Sequence, residues 1–455
     1  MKKLILTLLT IFVYLNVYPW GNDILVSPQS TGKTSLVATA SGTLYCSVPV
    51  GFTGLGGMNI LQSTDMGLSW TPVTNLGSGQ MVNKSKLVVT GTDSVYCAYQ
   101  IGSDLFFYNL QSTNTTPFTT VTIEDFDLAA SPNGNAIYLY TDDAGDNNIH
   151  RYSSTDGGST WTGSTALVTG NGAHPRISLG GTTLILNYYG PVLADTATSI
   201  IRSAIYYESV PGNLTSSTFQ DLVAAGPNRS QFATVVINGL VWFVFSEGPT
   251  LKYMLSTDDG ASFGAETVVP VSAANTTGCF DITPFVNAVD AGMFLVYHSE
   301  GLPPQAQMMF TSVTTLSPTN FSGVEFFNDF NPQCSDASTY PSVYSIGGDA
   351  GVIWMETISA FPELYFDLRS AAVSTEELNA ESFISIYPNP VKDKLYIQST
   401  ESDLGHQLAI RDLSGRTLQT RKIDTNIFSM DVSTFPNGIY LITLSNGKVV
   451  RFIKM

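Results

Sequence analysis

The chain has 455 residues, a formal net charge of −17, and 43% apolar against 13% charged residues, a balance that fits two or more globular domains and excludes a disordered or coiled-coil chain. The charge is uneven: residues 1–382 hold 11 Lys or Arg against 31 Asp or Glu, and residues 383–455 hold 9 against 6. The long acidic region would repel nucleic acid and other polyanions, so no nucleic-acid partner is expected.

The chain opens with Lys2 and Lys3 and then an apolar run from Leu4 to Val17, too short and wrongly flanked for a spanning helix. Residues 1–20 therefore read as an export signal peptide. No later stretch approaches the roughly 20 apolar residues that a membrane helix needs, so the mature chain is expected to have no transmembrane segment.

From residue 24 to residue 372 one pattern recurs about every fifty residues. A short strand entry and a turn lead into a strongly apolar strand: TLYCSVPV, SVYCAYQI, AIYLYTD, TLILNYYG, VWFVFSE, MFLVYHSE and VIWMETI. Gly or Asn in the preceding turns supplies the positive φ of a tight hairpin. No amphipathic helical stretch separates the copies, which excludes alternating βα units. The expected fold class is all-β, a propeller of four-stranded blades. The count is seven, or six if the first or last repeat is incomplete.

Three hairpins carry a second pattern, S-x-D-x-G-x-[ST]-[WF]. Its residues are Ser63, Asp65, Gly67 and Trp70; Ser154, Asp156, Gly158 and Trp161; and Ser256, Asp258, Gly260 and Phe263. Their spacing, about two repeats each time, puts them in the first, third and fifth blades. The carboxylate and hydroxyls can bond turn backbone while the aromatic ring packs over the turn, so each unit is expected to be a fastener and not a catalyst.

Four cysteines in an exported chain allow two disulfides. Cys46 and Cys97 occupy matching strand positions and read as small buried side chains. Cys279 and Cys334, at the entries of neighbouring repeats, are the disulfide candidate. With four histidines and no C-x-x-C spacing, no metal site and no cofactor are expected. Asp142, Asp143 and Asp146 in TDDAGDNN lack the register of a calcium loop and read as a solvated turn.

Strand entries form the mouth of a propeller, and chemistry-bearing residues at those entries are the site candidates. Arg176, Arg229, His174 and Tyr340 are the expected ligand contacts. Asp125, Asp127, Asp281 and Asp336 are the carboxylates there, with Asp281 and Asp336 the candidates for an acid and base pair that would cleave a glycoside. Arg151, Arg202 and Arg369 read as paired surface positions. Strand-entry aspartates also commonly cap turns.

The Ser-x-Asp-x-Gly hairpins resemble the Asp-box, or BNR, repeat of sialidase-like β-propellers, whose boxes lie away from the active face. That resemblance implies a structural role for Asp65, Asp156 and Asp258. Sialidases of that superfamily hold a substrate carboxylate with three arginines, the first in an R-I-P motif; here no arginine precedes Arg151. The preferred function is therefore a non-catalytic module that binds an extracellular glycan or protein, and the alternative is a glycoside hydrolase.

After a polar linker, residues 373–382, the pattern changes. KLYIQ, LAIRD and YLITLS alternate apolar and polar residues between turns and predict a small Ig-like sandwich of six or seven strands over residues 383–455. The series YPNP, DLSGR, PNGIYLITL and a terminal KVVRFIKM resembles the type A sorting domain of the Bacteroidetes type IX secretion system. It implies the secretion machinery as a partner and a protein that is secreted or attached to the outer-membrane surface.

Overall fold

The structure, a computed structural model, describes residues 20, 23–50, 56–118, 122–146, 148–163, 167, 172–190, 200–223, 231–248, 250–270, 280–287, 290–299, 307–327, 341–346, 348–356, 362–369, 385–387, 391–399, 403–412, 416–444 and 449–454. The chain divides into two compact units, Met1–Ala371 and Ala372–Met455. The expected signal segment up to residue 19, the linker at 373–382 and the disulfide candidates Cys279 and Cys334 lie outside the described residues.

In the first unit the described strands form seven four-stranded antiparallel sheets. In six of them the strands run in sequence order from one edge to the other. The seventh takes Ile24–Ser27 as its outermost strand, paired with Glu363–Arg369, so both ends of the unit close one sheet. The seven apolar segments read from the sequence are the second strands of the seven sheets, and these strands are buried on both faces.

The reason is visible in the core, which is split into seams between consecutive sheets. Cys97 and Tyr99 pack with Met58 and Ile60 between the first and second sheets, Phe107 with Phe126 between the second and third, and Tyr138 with Tyr206 between the third and fourth. Phe232 with Tyr189, Trp242 with Tyr297, and Trp354 with Phe310 fill the next three seams. Leu36 and Cys46 meet Ile353 and Phe366 between the seventh and first. Each sheet is thus sandwiched by two neighbours, a propeller-like arrangement. Each fully buried large apolar side chain contributes about 1.5–3 kcal/mol to holding it.

Cys46 and Cys97 are buried, unbridged thiols in these seams, as expected. Trp20, the last residue of the expected signal segment, is described and packed. Its ring stacks on Phe327 at 4.6 Å and its Nε1 donates to Glu325 at 2.9 Å, so it belongs to the seam beside the seventh sheet.

The three Ser-x-Asp-x-Gly hairpins sit in the first, third and fifth sheets and share one bonding scheme. In the second of them Ser154 Oγ donates to Asp156 at 2.8 Å and accepts from the Gly158 N–H at 2.8 Å. Asp156 also accepts from the N–H and hydroxyl of Thr160 at 2.9 and 2.6 Å, and Trp161 Nε1 donates to the Gly158 carbonyl at 3.1 Å. Asp65 and Asp258 repeat the pattern with Ser69 and Ser262. Bonds from Thr160 hold the Asp156 carboxyl below the ordinary range, and bonds from Ser256 and Ser262 bring that of Asp258 down to about 2.

Each hairpin also clasps the preceding sheet, which its sequence does not reveal. A Cβ at Gly67 would lie 1.9 Å from Phe366, one at Gly158 2.0 Å from Phe107, and one at Gly260 2.8 Å from Ile185. Trp161 meets Phe107 edge-on at 4.9 Å and Trp70 meets Phe366 at 5.5 Å. Asn109 and Gln220 reach from the second and fourth sheets to the Gly157 and Gly260 carbonyls at 3.2 and 2.7 Å.

In the second unit, strands at Ser385–Tyr387, Lys394–Gln398 and Ile427–Asp431 form one sheet. Thr417–Lys422, Gln407–Asp412, Gly438–Leu444 and Val449–Lys454 form another. Leu395, Ile397 and Met430 from the first share a core with Leu408, Ile410, Ile442 and Phe452 from the second, so the sheets pack face to face.

Gly158 and Gly181 both take a left-handed φ, +80° and +60°, but nothing lies within 4 Å of a Cβ at Gly181. Gly181→Ala is expected to cost about 1–2 kcal/mol of backbone strain alone. Gly158→Ala adds the clash with Phe107 and is expected to cost about 1–3 kcal/mol more. Urea midpoints of the two variants measure the difference; equal midpoints would rule out the clasp.

Candidate functional site

The seven first strands are Ser35–Ala38, Val82–Val89, Ile123–Ala130, Ala173–Gly180, Phe232–Ile237, Phe280–Val286 and Ser342–Ile346. Each is the edge of its sheet, and all seven line one cavity of about 330 Å³. Edge strands leave backbone N–H groups with no ladder partner, and buried ones need another acceptor.

Side chains of the neighbouring edge supply it. Ser342 Oγ accepts from the Leu36 N–H at 3.3 Å, and Ser35 Oγ from Leu87 at 3.0 Å. The carboxylate of Asp127 accepts from Ile177 at 2.9 Å, and that of Asp281 from Val343 at 2.9 Å. Asp127 takes a second bond from its own neighbour Leu128 at 3.0 Å. Two of the carboxylates singled out at strand entries are thus seam fasteners. They cap strand N–H groups across a seam, where turn capping was the expected structural role. Asp281 remains strained electrostatically: burial raises its pKa, against the opposing pull of Lys86 and the Val343 N–H.

Lys86 and Arg176 stand directly before Leu87 and Ile177, whose N–H groups donate across a seam, the place that Ser35 and Ser342 hold before Leu36 and Val343. They bring positive charge to the ring of seam positions. Lys33 and Lys84 join them on the cavity wall. A second cavity of about 530 Å³ shares Lys33 and Lys84 and is edged by Asn83, Gln100, Ser103 and Glu124.

Asp125 ties this group together. It accepts from Lys84, from Arg176 Nη1 at 2.8 Å and from its own neighbour Phe126 at 2.8 Å, and it lies 3.0 Å from His174 Nδ1. Burial alone would raise its carboxyl, but Arg176 and Lys84 hold it well below the ordinary range. The Lys33 ammonium is pushed down to about 7, first by burial and then by Arg176 and Lys84. Lys84 also lies over the Phe126 ring at 4.7 Å, while Lys86 approaches Asp127 only to 3.9 Å.

His174 has φ +53° at a register shift of its strand, a kink that aims its N–H at Asp142 Oδ2, 3.1 Å away. The expectation of a solvated turn fails for Asp142 and Asp143, which end the strand Ile137–Asp143 and are buried, and holds for Asp146. Burial raises the Asp142 carboxyl to about 6, partly offset by the His174 N–H. Atoms of Asp143, Asp146 and His150 lie within 4.8 Å of one another. The two carboxylates already accept from the Gly145 and Asn148 N–H groups at 2.8 and 3.0 Å, the work of a tight turn.

The structure therefore joins the ligand candidates Arg176 and His174 on Asp125 and sets Asp281, an acid/base candidate, across the channel. Arg229, Asp336 and Tyr340 lie outside the described residues. Arg202 pairs with Asp221, Arg369 with Glu325, and Arg151 lies over Tyr206. Sequence reasoning missed Lys33, Lys84 and Lys86. They stand at strand entries in TGKTS and NKSKL, the rule that selected Arg176, but lysine there reads as solvated.

Residues 385–455 match the secretion system C-terminal sorting domain family. The protein is secreted or attached at the cell surface. Among the described residues no helix is long and apolar enough to cross a membrane. No curated protein matches the chain. Solved structures that align include the Aleuria aurantia lectin with Fucα1-6GlcNAc, at 11% identity over 74% of this chain and 96% of that one, TM-score 0.39. The α-L-arabinofuranosidase Arb93A of Fusarium graminearum aligns at 12% over 77% and 98%, TM-score 0.46. PorZ, a surface component of the type-IX secretion system of Porphyromonas gingivalis, aligns at 14% over 92% and 59%, TM-score 0.44. The sheets and seams, and not these distant likenesses, establish the architecture.

Two outcomes follow from the carboxylates. Between the ordinary 3.8 and the folded value of about 6 for Asp142, the folded state binds a proton that the unfolded state has lost. Its contribution to stability is therefore greatest at low pH and falls as pH rises through that window. Asp142→Asn, which keeps the acceptor for His174, is expected to flatten that slope in urea midpoints taken from pH 4 to 7. Asp281→Ala strands the Val343 N–H and is expected to cost about 1–3 kcal/mol; unchanged stability would remove Asp281 from the fasteners.

Proposed function

We propose that the first unit is a closed seven-bladed propeller of the Asp-box, sialidase-like type, and that its channel mouth is a non-catalytic binding site for an extracellular glycan or protein. The Ig-like second unit would present the chain to the secretion machinery through residues 383–455. Arg176 and His174 are the proposed ligand contacts, with Arg229 and Tyr340 beside them in sequence logic, and Cys279 and Cys334 the proposed disulfide.

One observation carries the binding reading: the described strand-entry carboxylates Asp125, Asp127 and Asp281 are all committed. Asp125 serves Lys84, Arg176 and His174, Asp127 serves two strand N–H groups, and Asp281 serves one. Glycoside cleavage requires one carboxyl able to give a proton and another facing the same sugar, about 5–9.5 Å away. The alternative, a glycoside hydrolase with Asp281 and Asp336, keeps one supporting feature, the raised carboxyl of Asp281. An acid fixed to a backbone N–H across a seam is poorly placed to turn toward a substrate.

A glycan array probed with the mature protein, followed by mass spectrometry of the same glycans, is expected to give binding without cleavage. Arg176→Ala, with folding checked by circular dichroism, is expected to weaken that binding at least tenfold, as losing a charged hydrogen bond of about 1.5–3 kcal/mol implies. Cleavage of any glycan would replace the binding reading with the hydrolase.

A further inference from the structure

We propose that Asp143, Asp146 and His150, at the hairpin between the second and third strands of the third sheet, form a binding site for a transition-metal dication of the zinc class. The three residues do not line the channel cavity, and the proposal is independent of the binding-module reading.

The first observation is convergence. His150 Nε2 lies 3.0 Å from Asp146 Oδ2 and 3.9 Å from Asp143 Oδ2, and one ligand atom from each of the three residues falls within 4.8 Å of the other two. Around a single ion with bonds of about 2.0–2.2 Å, ligand atoms stand about 3–4 Å apart. Asp146 is exposed at the tip of the turn, so rotation of its side chain closes the remaining gap without moving a strand. The bonds of the turn leave this arrangement intact. The Gly145 N–H donates to Asp143 Oδ1 at 2.8 Å and the Asn148 N–H to Asp146 Oδ1 at 3.0 Å. Each carboxylate is thus held by one oxygen and turns the other toward His150, the kind of outer support that orients metal-ligating carboxylates.

The second observation is what a tight turn leaves unexplained. Asp143 is buried, yet among the described residues its Oδ2 meets no hydrogen-bond donor, since 3.9 Å to His150 exceeds hydrogen-bond length. Thr141 is 0% exposed and its Oγ1 has no partner among the described residues. Strand pairing sets Thr141 directly opposite His150, and it lies two residues before Asp143 on the same strand, so the three side chains share one face of the sheet. A buried hydroxyl without a partner is rare and calls for a water or an ion beside it. A dication held by Asp143, Asp146 and His150 answers both features: it takes the bare carboxylate oxygen, and a water on its open position accepts the Thr141 hydroxyl.

The donor set selects the ion. Calcium and magnesium favour oxygen ligands throughout, whereas imidazole with carboxylates suits zinc and its transition-metal neighbours. Three protein ligands leave at least one position for water. The surrounding charge favours any cation, with 31 Asp or Glu against 11 Lys or Arg over residues 1–382; the imidazole supplies the discrimination that charge alone lacks. Asp142, next to Asp143, holds the His174 N–H at 3.1 Å, so the ion sits at the strand end that positions a proposed contact of the mouth.

The test is equilibrium dialysis of the EDTA-stripped full chain against zinc chloride and against calcium chloride, with bound metal counted by mass spectrometry. One zinc ion per chain is expected at micromolar free zinc, and no calcium at the same concentration. His150→Gln, Asp146→Asn and Asp143→Asn, the last keeping the acceptor for Gly145, are each expected to weaken zinc binding at least tenfold. Circular dichroism in EDTA checks that each variant is folded. Thr141→Val, which keeps the shape and removes the hydroxyl, is expected to weaken it about tenfold. His406→Gln, in the second unit, is expected to leave the stoichiometry at one. Cobalt in place of zinc is expected to show visible d–d bands, lost in His150→Gln, and no thiolate charge-transfer band in the near ultraviolet. No zinc retained at micromolar concentration, zinc retained equally by folded His150→Gln and Asp146→Asn, calcium bound as tightly as zinc, or a thiolate band placing the metal on cysteine would each overturn the site.

Discussion

Seven edge strands facing one channel each leave backbone N–H groups without a ladder partner, and the organisation of the mouth depends on how those groups are satisfied. Ser342, Ser35, Asp127 and Asp281 each reach to the neighbouring edge and accept one. These bonds add directional links to seams filled mostly by apolar side chains, which slide past one another at little cost. A polar cap fixes the offset, because a displaced strand would strand a buried N–H at a cost of about 1–3 kcal/mol. The same bonds occupy the Asp127 and Asp281 carboxylates, so the requirement that builds the channel also holds these two side chains in place.

The outer hairpins answer a different requirement. Asp65, Asp156 and Asp258 are low-pKa carboxylates surrounded by hydroxyl and N–H donors at the surface, and their bonds keep the glycine that follows in a left-handed conformation. Only that conformation, without a Cβ, lets the turn lie against Phe366, Phe107 or Ile185 of the preceding sheet. Polar bonds inside the turn thus set up an apolar contact outside it. Of the three seams clasped in this way, the one between the seventh and first sheets also carries an edge-strand cap, from the Leu36 N–H to Ser342.

Much of the fold was legible because its signals are local. A doubly buried second strand must be apolar along its whole length, and TLILNYYG or VWFVFSE shows that directly; the turn before each and the hairpin motif are equally short-range. The sorting domain was legible for the same reason. The partners of a carboxylate were not, since Asp281 meets Val343 and Asp125 meets Arg176 across 62 and 51 positions of sequence. Nothing near Asp281 separates a seam cap from a general acid. Trp20 was assigned to the leader because apolar residues precede it, although its partners Phe327 and Glu325 lie at the far end of the unit. Lysines were passed over because an isolated lysine is usually solvated, and only the closing of the channel brings Lys33 beside Lys84.

The net charge of the chain and the charges at the channel act over different distances. A chain of net charge −17 should repel anions, yet repulsion between exposed charges fades over a Debye length of about 8 Å in physiological salt. At the channel the distant acidic surface is screened, while Lys33, Lys84 and Arg176 act at contact distance in a partly enclosed space where screening is weak. The two scales do different work. The outer surface disfavours long polyanions such as nucleic acid, whose many phosphates must come close to it at once. The cations of the channel wall act on a shorter scale, each on the groups it touches, as Lys84 and Arg176 do on the buried Asp125 carboxylate.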